Sequence, residues 1–286
     1  MTAVDSLNAK MPTERQSAFV GADADSIAFA AHLRRRAMRR KILPIGATLL
    51  ILALWEAAVV VFGIPRFIAP APSAIVVQLY TSFDVLMANL WPTMIEAIAG
   101  YALGNILAVA VAVLFVWKAT AEEALFPIAV MVNTIPVVAK APILVLLLGN
   151  GMEPKIAIAA LICFFPTLVN VTRGLRDVNP QHLELMHVLS ASQREIFLKL
   201  RLRNCLPYLF SALKITASTA VIGAIVGEWI GANVGLGALI IQATYNFDSP
   251  LLYATIVVGS LFSAAFFGAV CLVERRVMRN SGRTAV

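Results

Sequence analysis

The chain has 286 residues, of which 60% are apolar and only 14% charged, and its mean hydropathy is +0.83. A soluble domain carries about a quarter charged and just under half apolar residues, so the composition excludes a soluble globular protein and describes one polytopic membrane bundle, with no room for a large soluble domain beside it. The net charge of +7, from 23 Lys plus Arg against 16 Asp plus Glu, fits nucleic acid, anionic lipid or an orientation signal, and its placement decides among them.

Residues 1–33 mix polar and apolar positions and include Asp5, Glu14, Asp23 and Asp25, so no cleavable signal peptide is expected. Residues 1–40 read as a disordered cytoplasmic extension closing on the basic cluster from Arg34 to Lys41. Apolar runs at 42–63, 91–117, 123–149, 155–172, 211–231 and 251–273 then predict six transmembrane helices inside a membrane domain spanning 41–275. The runs are continuous rather than alternating, which favours helices over barrel strands, and a helix satisfies its own backbone in lipid.

Between the first two runs, Pro70-Ala71-Pro72-Ser73 predicts a break and a Ser cap, followed by an interfacial helix carrying Ile75, Val76, Leu79 and Tyr80 at helical spacing. With the N-terminus placed in the cytoplasm, 20 of the 23 basic residues fall on the cytoplasmic side. They lie in the N-terminal tail, at Lys118, within 173–214 and from Arg275 onward, leaving only Arg66, Lys140 and Lys155 elsewhere. The positive-inside rule then puts both termini, including a tail over 276–286, in the cytoplasm. The charge is chiefly an orientation signal, and nucleic acid is set aside as a partner. Cys163, Cys205 and Cys271 match no metal or disulfide spacing and read as small core residues; no metal site is expected.

The polar stretch between the fourth and fifth runs, 173–210, has helical periodicity but is too polar to span. Asn179-Pro180 starts a helix on which Leu183, Met186 and Val188 surround Glu184. Ser190-Ala191-Ser192 interrupts it, and Ser192 with Glu195 has the spacing of a capping box. A second helix follows, with Ile196, Phe197 and Leu200 on one face and Arg194, Lys199, Arg201 and Arg203 largely off it, until Leu206-Pro207 redirects the chain toward the fifth span.

Ionisable residues inside spans are costly and are functional candidates by default. Four occur: Glu56, Glu96, Lys140 and Glu228. Lys140 lies between Pro136 and Pro142, which bend the third span. It reads either as a translocation-path cation for an acidic or electron-rich solute, or as a structural residue that pairs with Glu96 or Glu228 or snorkels outward. Glu228 stands beside Gly231, Gly235 and Gly237, which suggests a sharply turning segment near an external gate; the alternative is a plain interfacial carboxylate. Glu56 fits a bundle hydrogen bond, and Asn105, Asn133 and Asn170 fit interhelical glue.

The stretch from Glu184-Leu185-Met186 through Ser190 to Leu200, Leu202 and Leu206-Pro207 resembles the Glu-Ala-Ala loop of ABC-importer permeases. Leu185-Met186 stands for Ala-Ala, Ser190 for the loop glycine and Arg203 for the first proline. A Ser where positive φ is required would cost of order 1 kcal/mol. Ile135-Pro136-Val137-Val138-Ala139-Lys140-Ala141-Pro142, Phe164-Phe165-Pro166 with Asn170 and Gly174, and Gly227-Glu228 with Gly235-Leu236-Gly237 are similar to other spans of that family. The match is to its branch of nitrate, sulfonate, taurine, riboflavin and thiamine-pyrimidine importers.

This resemblance implies an all-α type I importer permease fold with six spans and a coupling helix, in a bacterial inner membrane. It implies that Glu184, Leu185, Met186, Ser190, Ala191, Ser192, Ile196, Phe197, Leu200 and Leu202 dock an ATPase subunit, and that Pro136, Lys140, Pro142, Glu228, Gly235 and Gly237 belong to the path or gate. The implied partners are ABC ATPase subunits, a periplasmic or lipid-anchored solute-binding protein and a second copy of the permease. No phosphate-binding loop is present in the sequence, so ATP is expected on the partner and no cofactor or catalysis on this chain. The stretches 206–214 and 223–228 lean toward riboflavin or a thiamine-pyrimidine precursor, with nitrate, sulfonate or taurine as alternatives. A secondary transporter or channel is the reading from a different class. It would show broken helices in both halves, whereas the sequence breaks only the third span.

Overall fold

The structure, a computed structural model, describes residues 42–280; the expected N-terminal extension, the whole basic cluster before span one and the end of the C-terminal tail lie outside the described residues. All regular elements among the described residues are helices. The first, α1 (Ile42–Val61), has a mean hydropathy of 2.0 and belongs to a unit of its own that ends at Gly63.

The second unit opens with α2 (Pro72–Thr81), the short helix expected before the second span. Its cap differs from expectation. Ala71 is the N-cap, Pro72 occupies the first turn and Ser73 is already inside the helix, because a proline's missing N–H is harmless at that position. After Ser82 the chain enters α3 (Phe83–Trp117), 35 residues long and eight residues longer at its start than the apolar run predicts. The third expected span is two helices, α4 (Ala119–Thr134) and α5 (Val137–Leu148), bent by 102°. Pro136 makes the break: it forces Ile135 into extended backbone at ψ 126° and supplies no amide to continue the ladder. Pro142 sits within α5 without breaking it.

The rest comprises α6 (Glu153–Arg176), α7 (Pro180–Val188), α8 (Gln193–Glu228), α9 (Leu236–Tyr245) and α10 (Ser249–Asn280). Leu206-Pro207 does not redirect the chain as expected. Pro207 lies inside α8, and the helix runs unbroken for 36 residues from the polar loop to Glu228. Among the described residues, five helices are long and apolar enough to cross a membrane, six if the bent pair counts as one span.

The core is a three-helix block in which α6 lies between α3 and α8. Lipid tails are as apolar as leucine, so helices in a membrane gain little from hiding apolar side chains and associate where small residues let backbones approach. Gly100 and Gly104 on α3 face Ala159 and Ala160 of α6, and Gly223 and Gly227 on α8 face Ala159 and Lys155. A Cβ on Gly104 would stand 2.3 Å from the Ala160 carbonyl oxygen, and one on Gly223 would stand 2.8 Å from the Ala159 Cα. Toward the α7 end, Ala108, Ala112 and Phe115 pack with Leu168, Val171, Leu175 and Cys205. Cys163 and Cys205 are buried and Cys271 is half-buried; all three are free thiols.

Asn105 is the polar centre of the block. Its Oδ1 accepts from Thr167 Oγ1 of α6 at 2.5 Å and from Thr216 Oγ1 of α8 at 3.3 Å, which is the interhelical role expected of it. Asn170 instead donates to the Pro166 carbonyl of its own helix.

The block predicts a contrast between glycines. Gly104→Ala meets backbone, which cannot yield, and should lower the stability of the detergent-solubilised protein by about 1–3 kcal/mol. Gly268→Ala, where nothing lies within 4 Å, should be neutral or stabilising by up to about 1 kcal/mol. Thermal unfolding of the two variants decides.

Candidate functional site

The predicted coupling segment forms as a helix, a tight turn and the start of a second helix. Asn179 caps α7, its Oδ1 accepting from the Gln181 amide at 2.9 Å. At the other end of α7, the Ser190 amide bonds the His187 carbonyl and the Ala191 amide the Met186 carbonyl, the paired bonds of a Schellman turn. That turn requires a left-handed residue, and Ser190 takes φ +52°. The serine thus keeps the geometry for which a glycine is suited. The predicted capping box is present: Ser192 Oγ accepts from the Glu195 amide, and Glu195 Oε2 accepts from the Ser192 amide at 3.0 Å.

From Ile196 to Arg201 the helix is π-helical, with the Leu202 amide bonded to the Phe197 carbonyl five residues back. One extra residue in the turn rotates the face that follows. Ile196 is consequently buried, and Phe197 packs on the Phe115 cluster with its ring 5.5 Å from Trp117. This corrects the expectation for Ile196, which faces its own chain rather than a partner; Phe197 is half-buried. The apolar side chains left on the outside are Leu185, Val188, Leu189, Leu198 and Leu202, with Val188 81% and Leu189 67% exposed. Glu184 and Ser192 are exposed, and Met186, Ala191 and Leu200 are half-buried. Met186 and Leu200 line an open groove of about 720 Å³ between α7 and α8, together with His182, Lys199 and Arg203.

The segment is mounted rigidly. Carbonyls at and just beyond the end of α6 are taken by side chains of α8: Arg201 donates to the Leu175 carbonyl at 3.2 Å, and Asn204 donates to those of Gly174 at 3.3 Å and Asp177 at 2.5 Å. The Tyr208 hydroxyl bonds the Asp177 carboxylate.

The candidate path residues fall into two groups. Glu228, Gly235 and Gly237 meet at the end of α8 away from α7. Glu228 is 1% exposed; its Oε1 accepts from Thr93 Oγ1 and its Oε2 from the Gly237 amide, each at 2.6 Å. Thr93 Oγ1 in turn accepts from the Leu236 amide at 2.8 Å, and Asn89 Oδ1 from the Gly235 amide at 2.9 Å. Gly235 sits at φ +118°, and a Cβ there would fall 2.2 Å from Glu228 Oε1. The sharp turn expected from the glycines is therefore built on the carboxylate. Glu96 also interacts with Glu228, and its ion-pair partner is Lys155 at 3.6 Å, both nearly fully buried. Of the alternatives for Lys140, pairing with Glu96 thus gives way to Lys155. Lys140, with Pro136 and Pro142, belongs to the second group on the broken span, where Lys140 is half-exposed on α5. Sequence reasoning missed Thr93, Asn89 and Lys155; the available signal was Lys155, a lysine at the first position of the fourth apolar run.

Two measurements follow. Ser190→Gly removes left-handed strain worth about 1 kcal/mol and should slow hydrogen exchange of the Ala191 amide by about fivefold. Glu228→Gln and Thr93→Val should each cost about 1–3 kcal/mol through an unsatisfied buried donor or acceptor, and the double variant should cost clearly less than the sum, because both break one network.

The chain was compared with known proteins. The family model described as "Binding-protein-dependent transport system inner membrane component" matches residues 100–279. The formylaminopyrimidine transport permease protein ThiX of Halalkalibacterium halodurans is 35% identical over 79% of this chain and 90% of its own length. The riboflavin transport system permease protein RibX of Chloroflexus aurantiacus is 30% identical over 81% and 87%. The putative aliphatic sulfonates transport permease protein SsuC of Bacillus subtilis is 27% identical over 81% and 85%. Among solved structures, the inward-facing MetNI methionine ABC transporter matches with a TM-score of 0.61 at 20% identity, over 69% of this chain and 98% of that one, a likeness of fold. The chain belongs to the binding-protein-dependent transport system inner membrane component family, the membrane-spanning permeases of ABC importers.

Proposed function

We propose that α7 and the exposed start of α8 dock in a groove of a separate ATPase subunit, so that this chain, paired with a second copy, transmits ATP-driven motion to a solute path. An external binding protein delivers the solute above; the termini and the docking segment face the cytoplasm, where the basic residues concentrate. The observation that carries the reading is a set of leucine and valine side chains held outside on a segment that is locked to the ends of two core helices. An amphipathic helix laid into a groove takes its affinity from such anchors and its register from flanking charge; Glu184, Arg194 and Arg203 supply that charge. The chain performs no covalent chemistry, and ATP is bound and hydrolysed on the partner.

For the solute, a small heterocycle of the riboflavin or pyrimidine-precursor kind is favoured, because relatives named for such solutes match at 35% and 30% identity, above the 27% of the sulfonate relative. Uptake of labelled formylaminopyrimidine or riboflavin by vesicles holding the full importer tests this; transport of a sulfonate with neither heterocycle overturns it.

The docking reading predicts that Val188→Asp combined with Leu189→Asp weakens co-purification of the ATPase by at least about tenfold and abolishes uptake. Both residues are exposed, so membrane level and thermal stability should stay as in the parent. Unchanged co-purification would remove the docking assignment.

A further inference from the structure

We infer that Arg176 is a positioning residue that passes movement of the docking segment to the broken span α4–α5, an inference that rests on the docking reading above. Two observations carry it. No residue of α4 is fully buried; Ala121, Phe126 and Ala129 touch the core, and beside them lies an open cavity of about 350 Å³ lined by Leu107 and Phe115 of α3, Leu125 and Val132 of α4 and Phe164 and Leu168 of α6. The helix meets the core through a few side chains, with apolar space beside them. It is fastened at its first turn: Arg176 Nη1 donates to Glu122 Oε1 at 2.8 Å, while Nη2 bonds Glu122 Oε2 and donates to the Phe115 carbonyl at 3.3 Å.

That one guanidinium joins three helix ends. Arg176 is the last residue of α6 and lies four residues before α7, Phe115 is in the last turn of α3, and Glu122 is in the first turn of α4. Each charge suits its place, a carboxylate at a helix N-terminus and a cation at a C-terminus. The planar fork of Arg fills all the contacts at once, which a Lys cannot do. From the side of α8, the Phe197 ring lies against Trp117 at the same corner. Rotation of α7 and the end of α6 therefore pulls on Glu122, and α4 swings into or away from its cavity, carrying Pro136 and Lys140 at its far side. The pair is partly exposed, with side chains 44% and 23% accessible, so its loss leaves the fold standing.

The test is a charge swap in the complete importer, with ATPase and binding protein present. Arg176→Glu and Glu122→Arg each should lower uptake about tenfold, while the ATPase still co-purifies and hydrolyses ATP, and the double swap should recover most of the loss. Arg176→Lys should not restore full uptake. Wild-type uptake in the single variants, or a double variant no better than either, overturns the inference, as does loss of ATPase co-purification in Arg176→Glu. Ala129→Leu, which fills the same cavity without touching the pair, should also lower uptake; unchanged uptake there overturns the swing. Failure of the docking reading is separate, because it shows as intact co-purification in the Val188 and Leu189 variant.

Discussion

The approach of α6 to α3 and α8 at Ala159 and Ala160 sets everything else in this molecule. Helices that meet at glycines come within reach of each other's backbone, and only then can a single side chain such as Asn105 bridge three of them. The order of causes matters. In lipid, a Leu-to-Leu contact offers little over a Leu-to-lipid contact, so dispersion between closely packed backbones and a few interhelical hydrogen bonds have to hold the bundle. A bulky residue at Gly104 or Gly223 would separate the helices and leave the Thr167 and Thr216 hydroxyls without their shared acceptor. The polar bonds therefore depend on the glycines.

A rigid block has consequences at both of its ends. The loop ahead of α8 carries the docking helix, and the other end of α8 carries Glu228, about 54 Å away along 36 residues at helical rise. Each end is pinned by side chains reaching across to backbone: Arg201 and Asn204 onto α6 carbonyls, Thr93 and Asn89 onto the Leu236 and Gly235 amides. A force applied at α7 thus acts on the block as a unit. By contrast α4 and α5 are separated by a proline break, and no residue of α4 is fully buried. Among the described residues the broken span is thus held to the block more loosely than α3, α6 and α8 are held to one another.

Much of this was legible in the sequence for identifiable reasons. Caps and turns are local, so Asn179-Pro180 and the Ser192–Glu195 box could be read from spacing alone, and the glycine position taken by Ser190 pointed to the left-handed turn it forms. Apolar runs located the spans, but their ends escaped wherever a helix continues past the apolar stretch, as at Phe83 and Gln193. The inward turn of Ile196 and Phe197 was not legible, because a 3.6-residue wheel does not foresee the π-helical residue that rotates them. The repeat Gly100-x-x-x-Gly104 and its counterpart Gly223-x-x-x-Gly227 were in plain view, and their partner helix was not. Pairings such as Lys155 with Glu96, between residues 59 positions apart, depend on tertiary neighbours that no local pattern encodes.

The distribution of intramembrane charge then changes what counts as a functional candidate. A buried ionisable residue is a default candidate because water is the usual reason to keep it. Glu96, Lys155 and Glu228 have a different reason: Lys155 pairs with Glu96, and Glu228 ties Thr93 to the tight turn between α8 and α9. Removing one member of a buried pair costs about 3–5 kcal/mol because the other is left uncompensated, so these three are held by stability whatever the solute. Lys140 is outside that network. It sits half-exposed on the short helix beyond the Pro136 break, next to the buried Ala141. Of the four ionisable residues expected within spans, Lys140 is thus one that the buried network around Glu228 does not hold, and it stands just past the Pro136 break.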